Sequence, residues 1–256
     1  MQRLLLLSNS RNSKGGWLDH VEPLITDLIG DGRRNILFVP FAAVTITFDA
    51  YVTMARKRFA QMGYSVTGAH KTTPLAIRDF DAVVVGGGNT FRLLAEARQR
   101  GWLAPIRSRV KAGIPFMGWS AGANFACPTI RTTNDMPVVD PKGFEALGVV
   151  PFQINPHYTD KKLKGHGGET RDERIAEFVK VNTRVAVLGL REGTLLRVEG
   201  AKARLLLGPG ARLFRHGRRP RDLYAGADVS HLVRPIPQKQ SAQRGGVHSK
   251  LIAKDC

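Results

Sequence analysis

Short apolar runs punctuate the first two thirds of the chain, and between them apolar positions recur at helical spacing. Leu4–Leu7, Ile36–Val39, Ser65–Gly68, Ala82–Val85 and Pro115–Met117 predict buried strands. Trp17–Ile29, Phe48–Gln61, Thr90–Arg100 and Ile106–Lys111 predict helices. Gly30, Gly63, Gly101 and Gly113 stand where those helices should stop. The alternation predicts an α/β fold of three layers, a mostly parallel sheet with helices on both faces. Thr183–Leu190 reads as a further core strand. Leu195–Val198, Arg204–Leu207 and Arg212–Phe214 follow as short strands, with turns at Glu199-Gly200 and Gly208-Pro209-Gly210, and form a short C-terminal β-rich segment. The pattern ends near Pro235. The expected organisation is one domain over residues 1–230 and a flexible basic tail over 231–256.

With 256 residues, 43% of them hydrophobic, the chain can bury one large core. Its two cysteines, Cys127 and Cys256, give no disulfide framework and point to a reducing compartment. Leu4–Leu7 is too short for a signal-peptide core or a membrane span, so the expected location is cytoplasmic and no membrane partner is expected. The net charge of +18 changes the picture more. It fits either an anionic partner or a solvated basic surface. The excess is spread along the chain and thickens at Arg212, Arg215, Arg218, Arg219 and Arg221, then at Lys239, Arg244, Lys250 and Lys254. Aromatics at 7% and the lack of a recognised binding motif argue against nucleic acid as the main partner. No H-E-x-x-H or paired Cys/His spacing appears, so neither metal nor cofactor is expected.

Gly118-Trp119-Ser120-Ala121-Gly122 is a G-x-S-x-G pattern behind the apolar run Ile114–Met117. Alone it arises by chance in about one chain in ten of this length. After a strand it predicts a sharp turn that lifts the Ser120 hydroxyl out of the sheet, with the Ala121 N–H facing an oxyanion. Gly86-Gly87-Gly88-Asn89-Thr90 follows the strand Ala82–Val85 and predicts a loop that brings N–H groups to a ligand at the same sheet edge. Gly88 is the candidate for a second oxyanion donor. A serine nucleophile needs a base. Of His20, His70, His157, His166, His216, His231 and His248, His157 stands out, because it follows a strand-like run and Pro156. Two acids can orient it: Asp135, in the polar stretch Arg131–Met136, and Glu192, at the end of a core strand.

The stretches Leu5–Ser10, Gly86–Phe91, Gly118–Asn124, Pro128–Pro137, Gln153–His157 and Gly168–Arg171 together resemble the peptidase E family of α-aspartyl dipeptidases over roughly Met1 to Phe214. The resemblance implies a fold like the class I glutamine amidotransferases, with serine as nucleophile. It implies hydrolysis of small peptides that begin with aspartate, Ser120 as nucleophile, His157 as base, and an acid at either Glu192 or Asp135. Arg171 is the expected ligand of the substrate aspartate, with Asn89 as a further substrate-binding residue. Arg92, Arg191 and Thr194 depart from the glutamine, proline and asparagine expected there. A cyanophycinase-like peptidase or a general serine esterase is the alternative on the same fold, and a nucleic-acid-binding protein the alternative outside it. The expected assembly is a monomer or homodimer.

Overall fold

The computed structural model describes residues 1–12, 15–161, 165 and 167–234. His166, His248, Cys256 and the basic stretch from Pro235 lie outside the described residues. The elements in chain order are β1 (Arg3–Leu7), α1 (Glu22–Ile29), β2 (Asn35–Val39), α2 (Phe48–Ala60), β3 (Ser65–Gly68), β4 (Ala82–Val85), α3 (Thr90–Gln99), α4 (Leu103–Ala112), β5 (Pro115–Trp119), α5 (Ala121–Phe125), β6 (Gln153–Tyr158), α6 (Arg171–Val181), β7 (Val187–Arg191), β8 (Leu195–Glu199), β9 (Lys202–Leu206), β10 (Ala211–Phe214) and β11 (Arg221–Leu223).

Seven strands form one sheet in the order β3-β2-β4-β5-β1-β8-β9. The first five run parallel, and β8 and β9 add antiparallel beyond β1. Side chains of a strand alternate between faces, and here the alternation divides the core in two. Leu4, Leu6, Leu37, Val39, Val83, Val85 and Phe116 face one side, where Leu93, Leu94 and Ala97 of α3 and Ile106 and Val110 of α4 cover them. Leu5, Leu7, Ile36, Phe38, Val84 and Met117 face the other, under Ile25 and Leu28 of α1 and Val52, Ala55 and Phe59 of α2. These are the three layers that the alternating pattern predicts.

A second, four-stranded sheet has the order β11-β10-β7-β6. One face of it joins the first core through Ile154, Leu188, Leu190, Ala211 and Leu213. Tyr158, Val187 and Phe214 pack on the other face with Ile175 and Val179 of α6. The C-terminal β-rich segment is therefore shared: β8 and β9 extend the main sheet, whereas β10 and β11 pair with β7.

Two predicted elements end elsewhere. The helix expected over Trp17–Ile29 is a 3₁₀ turn, Asp19–Val21, followed by α1, which starts where Pro23 fits a first helical turn. The strand expected over Thr183–Leu190 is β7, displaced towards Arg191 because α6 and its turn occupy the chain before it. Beyond β11 a 3₁₀ turn, Ser230–Leu232, buries Leu232 against the core. Among the described residues no helix is long and apolar enough to cross a membrane.

Candidate active site

The C-terminal ends of β1, β4, β5, β6 and β7 converge, and each delivers one part of the site. Ser120 follows β5 with φ 52° and ψ −115°, a conformation that non-glycine residues rarely adopt. The motif glycines are needed for close packing. A Cβ on Gly118 would sit 2.4 Å from the Gly122 carbonyl oxygen, and one on Gly122 would sit 2.3 Å from the Val85 carbonyl oxygen. The Ser120 N–H donates to the Leu7 carbonyl at 3.0 Å, which ties the turn to β1.

His157 lies at the end of β6, where the pairing with β7 shifts register between Asn155 and Tyr158. A bulge re-aims side chains, and His157 takes φ 52° there. Its Nε2 is 2.8 Å from Ser120 Oγ, and its Nδ1 is 3.0 Å from Glu192 Oε1. A carboxylate only accepts, so Nδ1 carries the proton and Nε2 is free to accept from the Ser120 hydroxyl.

The two candidate acids occupy different places. Glu192, just after β7, is the one in contact with His157. Asp135 accepts from the Thr90 N–H at 2.7 Å, from the Thr90 hydroxyl and from the Thr133 hydroxyl at 3.0 Å. It braces the start of α3 behind the glycine loop.

The glycine loop lies against the elbow: a Cβ on Gly87 would be 3.1 Å from the Ser120 Cβ. Gly88 has φ 134°, and its α-carbon faces the Ala42 carbonyl oxygen so closely that a Cβ would lie 2.3 Å from it. Among the described residues neither the Gly88 nor the Ala121 N–H donates to a protein acceptor. Tyr51 donates to the Gly87 carbonyl at 3.1 Å, and burial pushes its phenol up to about 12. Asn89 caps α3 by accepting from the Arg92 N–H at 3.0 Å, and donates to the Met136 carbonyl at 2.8 Å. Its side chain thus fixes the loop.

Arg171 begins α6 and is half-buried. It donates to Asn134 Oδ1, and the Asn134 amide donates to the Pro156 carbonyl at 2.7 Å, next to His157. Burial and the charge of Arg174 lower its guanidinium from the ordinary value, and the charge of Asp135 opposes them. Among the described residues it has no ion-paired carboxylate.

The three departures from the family pattern are absorbed locally. Arg191 pairs with Asp222 and with Asp160 at 2.9 Å and lies over the Tyr158 ring. Thr194 accepts from the Gly210 N–H at 2.9 Å. Arg92 lies 5.1 Å from the Phe48 ring centroid. Of the other described histidines, His70 pairs with Asp49, and His216 and His231 line a separate cavity.

Ser8, which sequence reasoning passed over, is fully buried at the end of β1. Its hydroxyl accepts from the His157 N–H at 2.9 Å and donates to the Leu190 carbonyl at 2.9 Å. The next residue, Asn9, accepts from the Gly193 N–H at 2.7 Å. Together they hold the chain on both sides of the His157–Glu192 pair. The signal was a polar pair directly after an apolar strand, at the edge where the glycine loop and elbow were expected.

The Peptidase family S51 model matches residues 4–206. A curated relative named Peptidase E from Salmonella newport is 50% identical over 226 residues, which is 87% of this chain and 98% of the relative. Peptidase E from Citrobacter koseri is 52% identical over 204 residues, 79% of this chain and 89% of the relative. A solved structure presented as a peptidase E protein from Listeria monocytogenes superposes with a TM-score of 0.60 at 23% identity, covering 81% of this chain and 99% of that one. A peptidase from an acI-B1 actinobacterium gives 0.65 at 18% identity, covering 89% and 96%. These structures share the fold, an α/β arrangement like that of the class I glutamine amidotransferases. With the match spanning the elbow, the glycine loop and both partners of the histidine, the chain belongs to peptidase family S51.

Proposed function

We propose that this chain is a serine dipeptidase that hydrolyses Asp-Xaa dipeptides through Ser120, His157 and Glu192. The observation that carries the reading is the continuous chain of hydrogen bonds from Ser120 Oγ through the imidazole to Glu192, 2.8 Å and 3.0 Å long, on a strained elbow. The name of the curated relatives, Peptidase E, and the match to peptidase family S51 support a peptide substrate.

His157 Nε2 takes the Ser120 proton as Oγ attacks the scissile carbonyl. The N–H groups of Gly88 and Ala121 hold the oxyanion; one such donor is worth about 3–4 kcal/mol of barrier. Imidazolium forms next to Glu192, which stabilises it. His157 then protonates the leaving amine, and the C–N bond breaks to leave an aspartyl ester on Ser120. Water, deprotonated by the same imidazole, hydrolyses the ester and restores the hydroxyl. Arg171 meets the carboxylate of the substrate aspartate through its two-pronged guanidinium. Asp135 shapes this side of the site and does not orient the base, while Asn89 keeps the glycine loop in place for substrate.

The leaving residue enters a cavity of about 470 Å³ that Gly87 and Gly88 border and that Ala43, Val44, Ile46 and Val138 make apolar. The reading places the enzyme in the cytoplasm, acting without metal or cofactor on a small peptide.

The decisive test is hydrolysis of Asp-Leu by wild type and by Ser120→Ala. Wild type should turn over Asp-Leu in preference to Glu-Leu, longer Asp-peptides and a simple ester. Ser120→Ala should lose the activity to within the small residue that binding alone supports. Turnover of the ester with none of Asp-Leu would replace the dipeptidase reading by the esterase alternative.

A further inference from the structure

At the opposite end of the second sheet lies a cavity of about 710 Å³ that takes no part in the peptidase site. The register places it. Gln153, Val187 and Phe214 pair at one end of β6, β7 and β10, while Tyr158 and Arg191 pair at the other, beside His157 and Glu192. A strand of six residues separates the two ends, about 16 Å at the usual rise. Three separate stretches of chain bring cations to the cavity: Arg184 before β7, Arg215 and Arg218 after β10, and His231 and Arg234 near the 3₁₀ turn.

The charge here differs from that of the arginines that hold the fold together. Arg58, Arg191, Arg197 and Arg212 each pair with a carboxylate. Arg184, Arg215, Arg218 and Arg234 are exposed and, among the described residues, none is within ion-pairing distance of one. The acid whose charge reaches His231 is Asp228, and the Ser230 N–H holds its carboxylate at 2.7 Å. Like charges on one cavity repel most where they lie within the roughly 8 Å screening length of physiological salt. Burial, then the charges of Arg215 and Arg221, lower the His231 imidazole from its ordinary value, as a positive local potential requires. The floor is apolar: Phe152 and Leu232 are buried there, and Val185 and Ala186 are half-buried. A rim of guanidiniums over an apolar floor suits a ligand with an anionic and a non-polar part.

We propose that this cavity is a second binding site, for a small organic polyphosphate, with Arg184, Arg215, Arg218 and Arg234 on the phosphates and Phe152 and Leu232 under the organic part. The guanidinium fork matches phosphate oxygens, and a concave volume of this size is within the range that small-molecule ligands fill. The site explains where part of the +18 charge is directed.

Calorimetric titration of the full chain with ATP tests it. Wild type is expected to bind one equivalent saturably, with inorganic tripolyphosphate competing. The triple variant Arg184→Ser/Arg215→Ser/Arg218→Ser is expected to bind ATP at least tenfold more weakly, with melting temperature and Asp-Leu hydrolysis unchanged. Residues 235–256 are present in both proteins, so any binding by them cancels. No saturable binding by wild type, equal affinity in the variant, or failure of tripolyphosphate to compete would each overturn the proposal. So would tight binding of a 20-nucleotide DNA strand that ATP cannot displace, since that would assign the charge to an open nucleic-acid surface.

Discussion

Ser120 and His157 both hold a positive φ of 52°, and a strained residue persists only where its surroundings over-determine it. For Ser120 the constraint is the Leu7 carbonyl; for His157 it is the hydroxyl of Ser8. Ser8→Ala removes an acceptor from the His157 N–H and a donor from the Leu190 carbonyl, and each buried group left unpaired costs about 1–3 kcal/mol. Because the loss falls on the base's backbone and not on substrate contacts, kcat for Asp-Leu should drop about tenfold or more with KM nearly unchanged. A variant that only melts earlier, with wild-type kcat, would leave Ser8 a purely structural residue. Arg171 is the opposite case. It touches the substrate in the proposed mechanism, and a hydrogen bond to a charged partner is worth about 1.5–3 kcal/mol. Arg171→Ala should therefore cut kcat/KM for Asp-Leu by about 10–100-fold, with Arg171→Lys recovering part of it, and should barely move the melting temperature. Unchanged kinetics would remove Arg171 from the site. The contact of Ser120 with His157 was legible because their residue types announce a chemistry, whereas Glu192 and Asp135 both stood open as the acid until folding placed Glu192 against the imidazole. Ser8 was not, because a buried serine acquires meaning only through the carbonyl and N–H that folding brings from Leu190 and His157, 182 and 149 residues away.

At the scale of elements, β1, β2, β4 and β5 were legible because each is a short apolar run whose odd and even positions both need cover, the mark of a strand buried on two faces. β3, expected as buried, is instead the edge strand, with Ser65 exposed and Thr67 half-buried. The second sheet was harder to read. In β6, Gln153, Asn155 and His157 interrupt the apolar pattern, since their side chains serve Thr129, Asn134 and Ser120 instead of a core. The three residues of β11 are too short for periodicity to show. That β8 would insert beside β1 depends on partners distant in sequence, which no local pattern records. The glycine loop after β4 shows how an element can be set by one atom. Gly88 combines φ 134° with an Ala42 carbonyl oxygen 2.3 Å from where a Cβ would go, and that oxygen also accepts the Asn89 N–H at 2.8 Å. Gly88→Ala must push the loop off β2's continuation. Its expected cost is about 2–3 kcal/mol, which lowers the melting temperature by roughly 5–10 °C in a protein of this size. Activity on Asp-Leu should fall further than the folded fraction, since the displaced loop carries the proposed oxyanion donor. Full activity per folded molecule would move that donor elsewhere.

Across the whole molecule the basic residues fall into two kinds. Some are exposed and unpaired, as around the proposed polyphosphate cavity. Others are spent on holding parts together, and the network at the open end of the second sheet is the clearest example. Arg212 grips Asp222 with two hydrogen bonds of 3.0 and 2.8 Å and reaches Asp172 of α6 at 2.8 Å, while Arg191 binds Asp222 and Asp160. One cluster thus links β7, β10, β11 and α6 directly behind Glu192. The Arg212 guanidinium, with Arg191 beside it, holds the Asp222 carboxyl down to about 2 against the opposing effect of burial. An unfolded aspartate titrates near about 3.9. Between those values the unfolded chain binds the proton and the folded chain does not, so acid favours unfolding. The stabilisation from Asp222 is complete above about pH 4 and is lost as pH falls through about 2. Its carboxylate is a third exposed, and water and salt screen such a pair, so the effect should be a moderate one that shrinks in high salt. Asp222→Asn should melt below wild type at pH 7. Its melting temperature should then fall less steeply than that of wild type between pH 4 and 2, so that the two curves converge in acid. Parallel curves across that interval would mean that Asp222 is no better paired in the folded protein than in the unfolded chain, and the cluster behind Glu192 would have to be held by packing on Tyr158 and Phe214 instead.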